Sequence, residues 1–469
     1  MPRNVLLITV DDLRPQLGCF GSRSVQSPHI DALAANGVTF QRAYCQQAVC
    51  APSRASVFSG CRPATTGVFD LQTPLRSTMP DVLTLPQHFK QSGFTAISVG
   101  KNYHHRIEDD PDGWSREPSI VHGDWQGRGY LTDEALEAMR ENGAAMAARG
   151  DKRKGLGPAF ECADVDDDAY HDGQEALAAI ATLQELSAQE APFFLAVGFH
   201  KPHLPFNAPK RYWDLYDPAN LPLAPTDCPP VDSPAWAVTD FGEMRGYFGI
   251  PKQGPVPEPL ARQLIHGYHA CVSYMDAQVG RVMAELDRLG LRDDTVVLLW
   301  GDHGWKLGEH GSWCKHSNME IDCNAPLLVS TPERAGRGAH CERLVEFVDI
   351  YPSLCELAGI TIPEHCEGTS MAPLLEDPER SWKSAAFSCY PREGHKLMGH
   401  AMKTDDCRFV EWRSTDDDSV VAQELYDHRE HRLETHNRAG AEKQRCEAMA
   451  AKLHGGWRAV ATELSAAEP

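Results

Sequence analysis

Short apolar runs recur along the chain, each closed by polar groups and separated from the next by amphipathic stretches. Val5–Val10 runs straight into Asp11 and Asp12, and Thr95–Val99 leads to Lys101 and His104. Phe193–Phe199 leads to His200, and Thr295–Trp300 to Asp302 and His303. Runs of this length that alternate with helical periodicity predict βα units and a mostly parallel sheet. Helical patterns occupy Asp172–Gln189, Leu260–Leu289 and Phe347–Gly359, the last stopped by its glycine. Ligands of open α/β sheets bind beyond the carboxyl ends of the strands. Four strand ends therefore deliver acids, a lysine and histidines to one edge. One such coincidence is ordinary; four are hard to ascribe to core packing.

Two long segments break the alternation. Glu108–Asp168 is rich in glycine and charge and is expected to form an irregular excursion over the active face. Pro202–Pro259, rich in proline and aromatics, is expected to line a pocket. A composition shift at Leu375–Ser384 predicts a boundary, with a large α/β unit over 1–375 and a small α+β unit over 376–469. In the second unit Ala385–Tyr390 and Arg408–Trp412 read as antiparallel strands and Glu442–Leu464 as a terminal helix.

Charge and cysteine content narrow the classes. Lys+Arg 45 against Asp+Glu 66 gives a formal net charge of −21, which argues against nucleic acid as a partner. An anionic small substrate remains compatible, since a local cationic pocket can sit in an acidic protein. Fifteen scattered cysteines without a CxxC pair argue against a zinc ribbon and suit a reducing compartment. The first apolar run is too short for a signal peptide, and no stretch approaches transmembrane length. The cytoplasm is the expected location, with the periplasm the alternative if a leader has been trimmed.

The sharpest chemical signal is Cys50-Ala51-Pro52-Ser53-Arg54, followed by the apolar Ala55–Phe58 and Ser59-Gly60. Proline in a first helical turn is pre-set for a helix start. A helix N-terminus favours an anionic nucleophile or a bound anion, and Arg54 adds a fixed positive charge. Two adjacent acids at a buried strand end, Asp11 and Asp12, repel unless a cation joins them.

The C-x-P-S-R string resembles the signature of the type I sulfatases, and the resemblance covers nearly the whole chain. It includes Asp11-Asp12, Ser27-Pro28-His29-Ile30-Asp31, Gly301-Asp302-His303-Gly304, Val348-Asp349-Ile350-Tyr351-Pro352 and Leu425-Tyr426-Asp427. Four stretches look most like iduronate-2-sulfatases and their bacterial relatives. They are Gly100-Lys101-Asn102-Tyr103-His104, Gly198-Phe199-His200-Lys201-Pro202-His203, Trp305–Gly311 and Met398-Gly399-His400.

The resemblance implies an alkaline-phosphatase-like α/β fold with a small C-terminal α+β subdomain. It also implies sulfuric ester hydrolysis by a formylglycine (3-oxoalanine) that a formylglycine-generating enzyme makes from Cys50. Asp11, Asp12, Asp302, His303 and an oxygen of modified Cys50 would hold one calcium ion; hard carboxylate oxygens suit calcium or magnesium. Arg54, Lys101, His104 and Lys315 would act on the diol and the sulfate, and His200 would protonate the leaving alcohol. His203, His310 and His316 are open to a packing or a functional role. The implied substrate is a sulfated saccharide, with a 2-O-sulfated uronate the leading candidate; a phosphonate monoester or phosphodiester is the alternative within the superfamily. Trp305 reads either as a sugar platform or as core. Arg392 and His395, with Lys396, read either as cations for a carboxylate or as a solvated basic turn.

Overall fold

The computed structural model describes residues 3–119, 129–148, 150, 155–429 and 431–467. Seven strands build the central sheet: β1 (Asn4–Val10), β2 (Val38–Phe40), β3 (Thr95–Gly100), β4 (Phe193–Phe199), β5 (Thr295–Gly301), β6 (Leu327–Ser330) and β7 (Ala339–Cys341). Their order is β7-β2-β6-β5-β1-β4-β3. The block β3, β4, β1, β5 is parallel throughout, whereas β6 runs antiparallel to both its neighbours.

β1 shows why these strands read as unbroken apolar runs. Leu6, Ile8 and Val10 face one core and Val5 and Leu7 the other, so both faces are buried. Helices α2 (His171–Leu186) and α3 (Glu258–Arg288) cover the first face through Ala176, Leu183, Leu264 and Met275. Helices α1 (Cys50–Ser59) and α4 (Ile350–Ala358) cover the second through Ala55, Phe58 and Leu354.

Register aligns the strand ends. Val10 pairs with Phe199 on one side and Gly301 on the other, and Gly100 pairs with Gly198. The residues that follow therefore emerge together at one edge. Gly100 makes this closeness feasible: its φ is +72°, and a Cβ there would lie 2.1 Å from the Gly198 carbonyl oxygen. Gly100→Ala should lower stability by about 2 kcal/mol or more, through both strain and overlap. An unchanged thermal midpoint would contradict that account.

A four-stranded antiparallel sheet follows: β8 (Ala386–Arg392), β9 (Leu397–Lys403), β10 (Cys407–Ser414) and β11 (Val420–Asp427). Helix α5 (Lys443–Ala467) packs on it through Cys446 and Met449 against Phe409 and Leu425. The sequence pattern marks β8 and β10 but not β9 or β11. Gly399 interrupts β9 because a Cβ there would lie 2.6 Å from Asn318 Nδ2 and 2.7 Å from the Trp412 ring. In β11 the opening Val420 and Val421 are exposed, which hides its buried face.

The Glu108–Asp168 segment is more regular than expected. Asp133–Ala148 forms a helix, as its Ala-, Glu- and Met-rich composition favours. Phe160–Ala163 pairs in parallel with Phe206–Pro209. Residues 120–128, 149 and 151–154 of that segment lie outside the described residues. Among the described residues no helix is long and apolar enough to cross a membrane.

Candidate active site

α1 begins at Cys50 directly after an extended Val49, and all ten of its residues are buried. The motif explains itself in place. Pro52 sits in the first turn, where its missing N–H costs nothing. The Ser53 hydroxyl donates to the Asp302 carbonyl beyond β5. Arg54, fully buried, donates from Nε to Asp302 Oδ2 at 3.0 Å and from Nη2 to Asp11 Oδ1 at 3.3 Å. Its Nη1 reaches the carbonyls of Lys101 and Asn102 at 2.6 and 2.9 Å. One side chain thus ties the ends of β1, β3 and β5 to the helix that carries the thiol.

Asp11, Asp12, Asp302 and His303 have no solvent exposure. Cys50 Sγ lies 3.3 Å from His303 Nε2 and 3.9 Å from Asp12 Oδ1. His303 Nδ1 lies 2.9 Å from the Gly304 carbonyl oxygen, to which it donates, and Nε2 faces the acids, 3.2 Å from Asp12 Oδ1 and 3.6 Å from Asp302 Oδ1. Asp12 takes a left-handed backbone, φ +61°, and its N–H donates to Asp302 Oδ1 at 3.0 Å. Burial, reinforced by Asp11 and Glu243, pushes the Asp12 carboxyl up to about 7 against the pull of Lys315 and His303. Burial would also raise Asp11, but Lys101, His203 and Arg54 hold it well below the usual carboxylate range.

This donor set fits a divalent cation. Ligand atoms of Asp11, Asp12, Cys50 and His203 lie within 4.8 Å of one another, as do those of Cys50, Asp302 and His303. Crowded buried carboxylates are costly without a counter-charge, and three carboxylates match a hard ion.

Beside the cluster opens a cavity of about 540 Å³ whose wall carries Lys101, His104, Arg106, His200, His203 and Glu243. Lys101 forms an ion pair with Asp11. His104 has a buried Nδ1 with no hydrogen-bond partner among the described residues. Burial, then Lys101 and His105, lowers His104 to about 3, so the ring is neutral. Lys315 reaches Asp12 at 3.1 Å and Glu243 at 2.9 Å, and its ammonium lies 4.9 Å from the centre of the Trp305 ring. All six catalytic candidates and all the ligand candidates therefore converge on one place.

Three candidates fall elsewhere. Trp305 is no sugar platform: it has no exposed surface and stacks on Tyr268 at 6.4 Å, with Phe206 at its edge. The chain just before it packs tightly: a Cβ at Gly304 would lie 1.9 Å from the Ile321 carbonyl oxygen. Arg392 is no spare cation. Its Nε donates to the Trp236 carbonyl at 2.7 Å and its Nη2 to the His316 carbonyl, and it stacks 4.3 Å from Tyr390. Exposed His395 lies with Asp70 on a second cavity of about 370 Å³, which adjoins the first through Leu71 and His316.

Sequence reasoning passed over Glu243 and Arg106 and left His203 open. His203 Nε2 lies 3.3 Å from Glu243 and 3.8 Å from Asp12. The HKPH string was the available signal for it; a single glutamate deep in the Pro202–Pro259 loop carried none.

The family model for sulfatases matches residues 3–360, and that for the C-terminal region of N-sulphoglucosamine sulphohydrolase matches residues 308–461. Iduronate 2-sulfatase of Mus musculus is 35% identical over 489 aligned residues, covering 89% of this chain and 86% of that protein. Its Homo sapiens counterpart is 34% identical with the same coverage. The phosphonate monoester hydrolase of Agrobacterium radiobacter superposes with a TM-score of 0.75 at 22% identity, covering 97% of this chain and 95% of that one. At that identity the likeness speaks for the fold alone. Fold and site define a hydrolase of the alkaline-phosphatase-like α/β class, with buried acidic and histidine groups that could hold a metal ion. The chain belongs to the sulfatase family, and it is a sulfuric ester hydrolase.

Proposed function

We propose that this sulfatase removes O-sulfate from a sulfated saccharide, a 2-O-sulfated uronate being the leading candidate. Its nucleophile is Cys50 after oxidation to formylglycine by a formylglycine-generating enzyme. One observation carries the reading: Cys50 opens a buried helix between three buried acids and a cavity walled by Lys101, His104 and His200.

Asp11, Asp12, Asp302, His303 and the position-50 side chain would hold calcium, which when bound polarises the sulfate oxygens and offsets the crowded carboxylates. The hydrated aldehyde supplies one hydroxyl to attack sulfur and a second to expel sulfate. The remaining work belongs to the chain. Lys101 and Lys315 oppose the charge on the transferring group. Arg54 fixes two acids in place from behind. Neutral His104 lies beside Lys101 and donates to sulfate or diol oxygens. His200 gives a proton to the departing sugar oxygen, which as an alkoxide is a poor leaving group.

A uronate needs a cation beyond those that hold sulfate. Arg106, left-handed at φ +55°, is on the inner cavity wall where Arg392 is not. Matched disaccharides bearing sulfate on a terminal uronate, an internal uronate or the hexosamine test this. The expected result is preference for the terminal uronate, with KM raised about tenfold or more in Arg106→Ala, as suits a lost charged hydrogen bond. Preference for hexosamine sulfate with Arg106→Ala silent would refute the uronate reading and leave the sulfatase assignment intact.

A further inference from the structure

His200 leaves β4 at the sheet edge, and two buried carboxyls from the first turns of α2 approach it. Asp172 is engaged with backbone: its Oδ1 accepts from the His200 N–H and its Oδ2 from the Lys201 N–H, both at 2.9 Å. Glu175, one turn on, faces the ring, with Oε1 at 3.1 Å and Oε2 at 3.3 Å from Nδ1. Glu175 is 2% exposed and His200 7%. The opposite side of Glu175 is closed by Gly100, where a Cβ would lie 2.9 Å from the carboxyl carbon. With both Asp172 oxygens taken by N–H donors, this trio is a hydrogen-bonded support for the imidazole, not a second cation site. In an imidazole Nε2 lies across the ring from Nδ1. Holding Nδ1 against Glu175 therefore turns Nε2 away from that carboxyl, and His200 lies on the wall of the substrate cavity.

We propose that Glu175 and His200 share one proton and act as a two-residue donor to the leaving alcohol. The Nε2–H bond breaks as the alcohol O–H bond forms; at the same time the Glu175 O–H bond breaks and an Nδ1–H bond forms. The imidazole ends neutral as its Nδ1–H tautomer and the carboxyl ends as a carboxylate; before the next turnover water protonates Nε2 and the Nδ1 proton returns to Glu175. The proposal rests on the reading of His200 as the leaving-group donor. Glu175 touches no substrate and acts as a positioning residue through His200.

The surroundings favour this proton inventory. Burial, with Lys101 and His171, holds His200 well below the ordinary imidazole range, against the opposing pull of Asp11, so the ring alone rests neutral and is a weak acid. Burial, with Asp172, pushes Glu175 well above the ordinary carboxyl range despite Arg106, Lys101 and Lys201, so the carboxyl keeps its proton. From α3, Tyr274 also faces the pair; burial and these same acids keep its phenol protonated. A protonated carboxyl behind a neutral imidazole resolves how a histidine so placed can donate at all.

The test uses mature enzyme on a sugar sulfate and on 4-nitrophenyl sulfate, whose leaving group needs little protonation. Glu175→Gln keeps the hydrogen bond but cannot lend a proton. It should lose about 10²–10³-fold in kcat on the sugar sulfate with KM little changed, and far less on the aryl sulfate. The alkaline limb of its kcat/KM profile on the sugar sulfate should move to lower pH, because His200 must then hold the proton unaided. Glu175→Asp should recover part of the rate. If Glu175→Gln melts well below the parent, the same leaving-group split is read from Glu175→Asp. Equal losses on both substrates, or an unshifted alkaline limb, would overturn the proposal. His200→Ala separates it from the reading beneath: equal losses there remove His200 as donor and the pair with it, whereas a selective loss beside a silent Glu175→Gln overturns the pair alone.

Discussion

Cys50→Ala is expected to abolish sulfate-ester hydrolysis, by roughly four orders of magnitude or more in kcat, while the protein stays folded. The expected loss is large because Cys50 is the residue proposed to make the bond to sulfur. Arg54, Lys101 and Lys315 are cations occupied with carboxylates, and His303 is turned toward the acids. The expected cost in stability is small because, among the described residues, the thiol's polar contacts are those to His303 and Asp12, and a thiol is a weak hydrogen-bonding group. A bare thiol would serve poorly here: burial, reinforced by Asp11, raises it well above its ordinary range and keeps it protonated. Oxidation to the aldehyde removes that difficulty. Two measurements check the account together. Peptide mass analysis of protein made alongside a formylglycine-generating enzyme should show the aldehyde or its hydrate at position 50. Turnover should then track the modified fraction. An active preparation whose Cys50 is wholly unmodified would sink the mechanism.

Legibility in the sequence followed a physical rule. The four strands that position the site are buried on both faces, so they read as apolar runs, and their polar sequels read as site residues. Strands β2, β6 and β7, of three or four residues each, are too short to leave a period. Local motifs carried Cys50, Arg54 and the candidate ligands because α1 and the strand ends place neighbours in sequence as neighbours in space. What failed was direction and distance. Trp305 is three residues from Asp302, yet it lies in the core, stacked on Tyr268. Arg392 reads as a spare cation until the carbonyls of Trp236 and His316 are brought to it. Glu175 and Glu243 reach the site from a long helix and from the one-turn helix Gly242–Arg245, and a single acid in either place looks like solvated surface.

Asp302→Ala should be the most damaging change among the acids, because Asp302 serves two partners at once. It belongs to the proposed cation donor set, and it receives the Nε of a guanidinium with no exposure to solvent. Removing one partner of a buried ion pair costs about 3–5 kcal/mol, since the other charge stays buried. Arg54 keeps Asp11 and two carbonyls, which places the expected cost at the lower end of that range. Activity should fall at least about a thousandfold, as the sulfate loses both the cation and the fixed nucleophile geometry. The decisive readout is thermal and independent of turnover. Calcium at about 100 times its Kd should stabilise the parent protein by about 2.7 kcal/mol. Asp302→Ala should lose most of that response, and chelation should lower the melting temperature of the parent far more than that of the variant. Full activity of the parent after exhaustive chelation, together with a melting temperature indifferent to calcium, would remove the cation from the site and leave the crowding of Asp11, Asp12 and Asp302 to be balanced by Arg54, Lys101 and Lys315 alone.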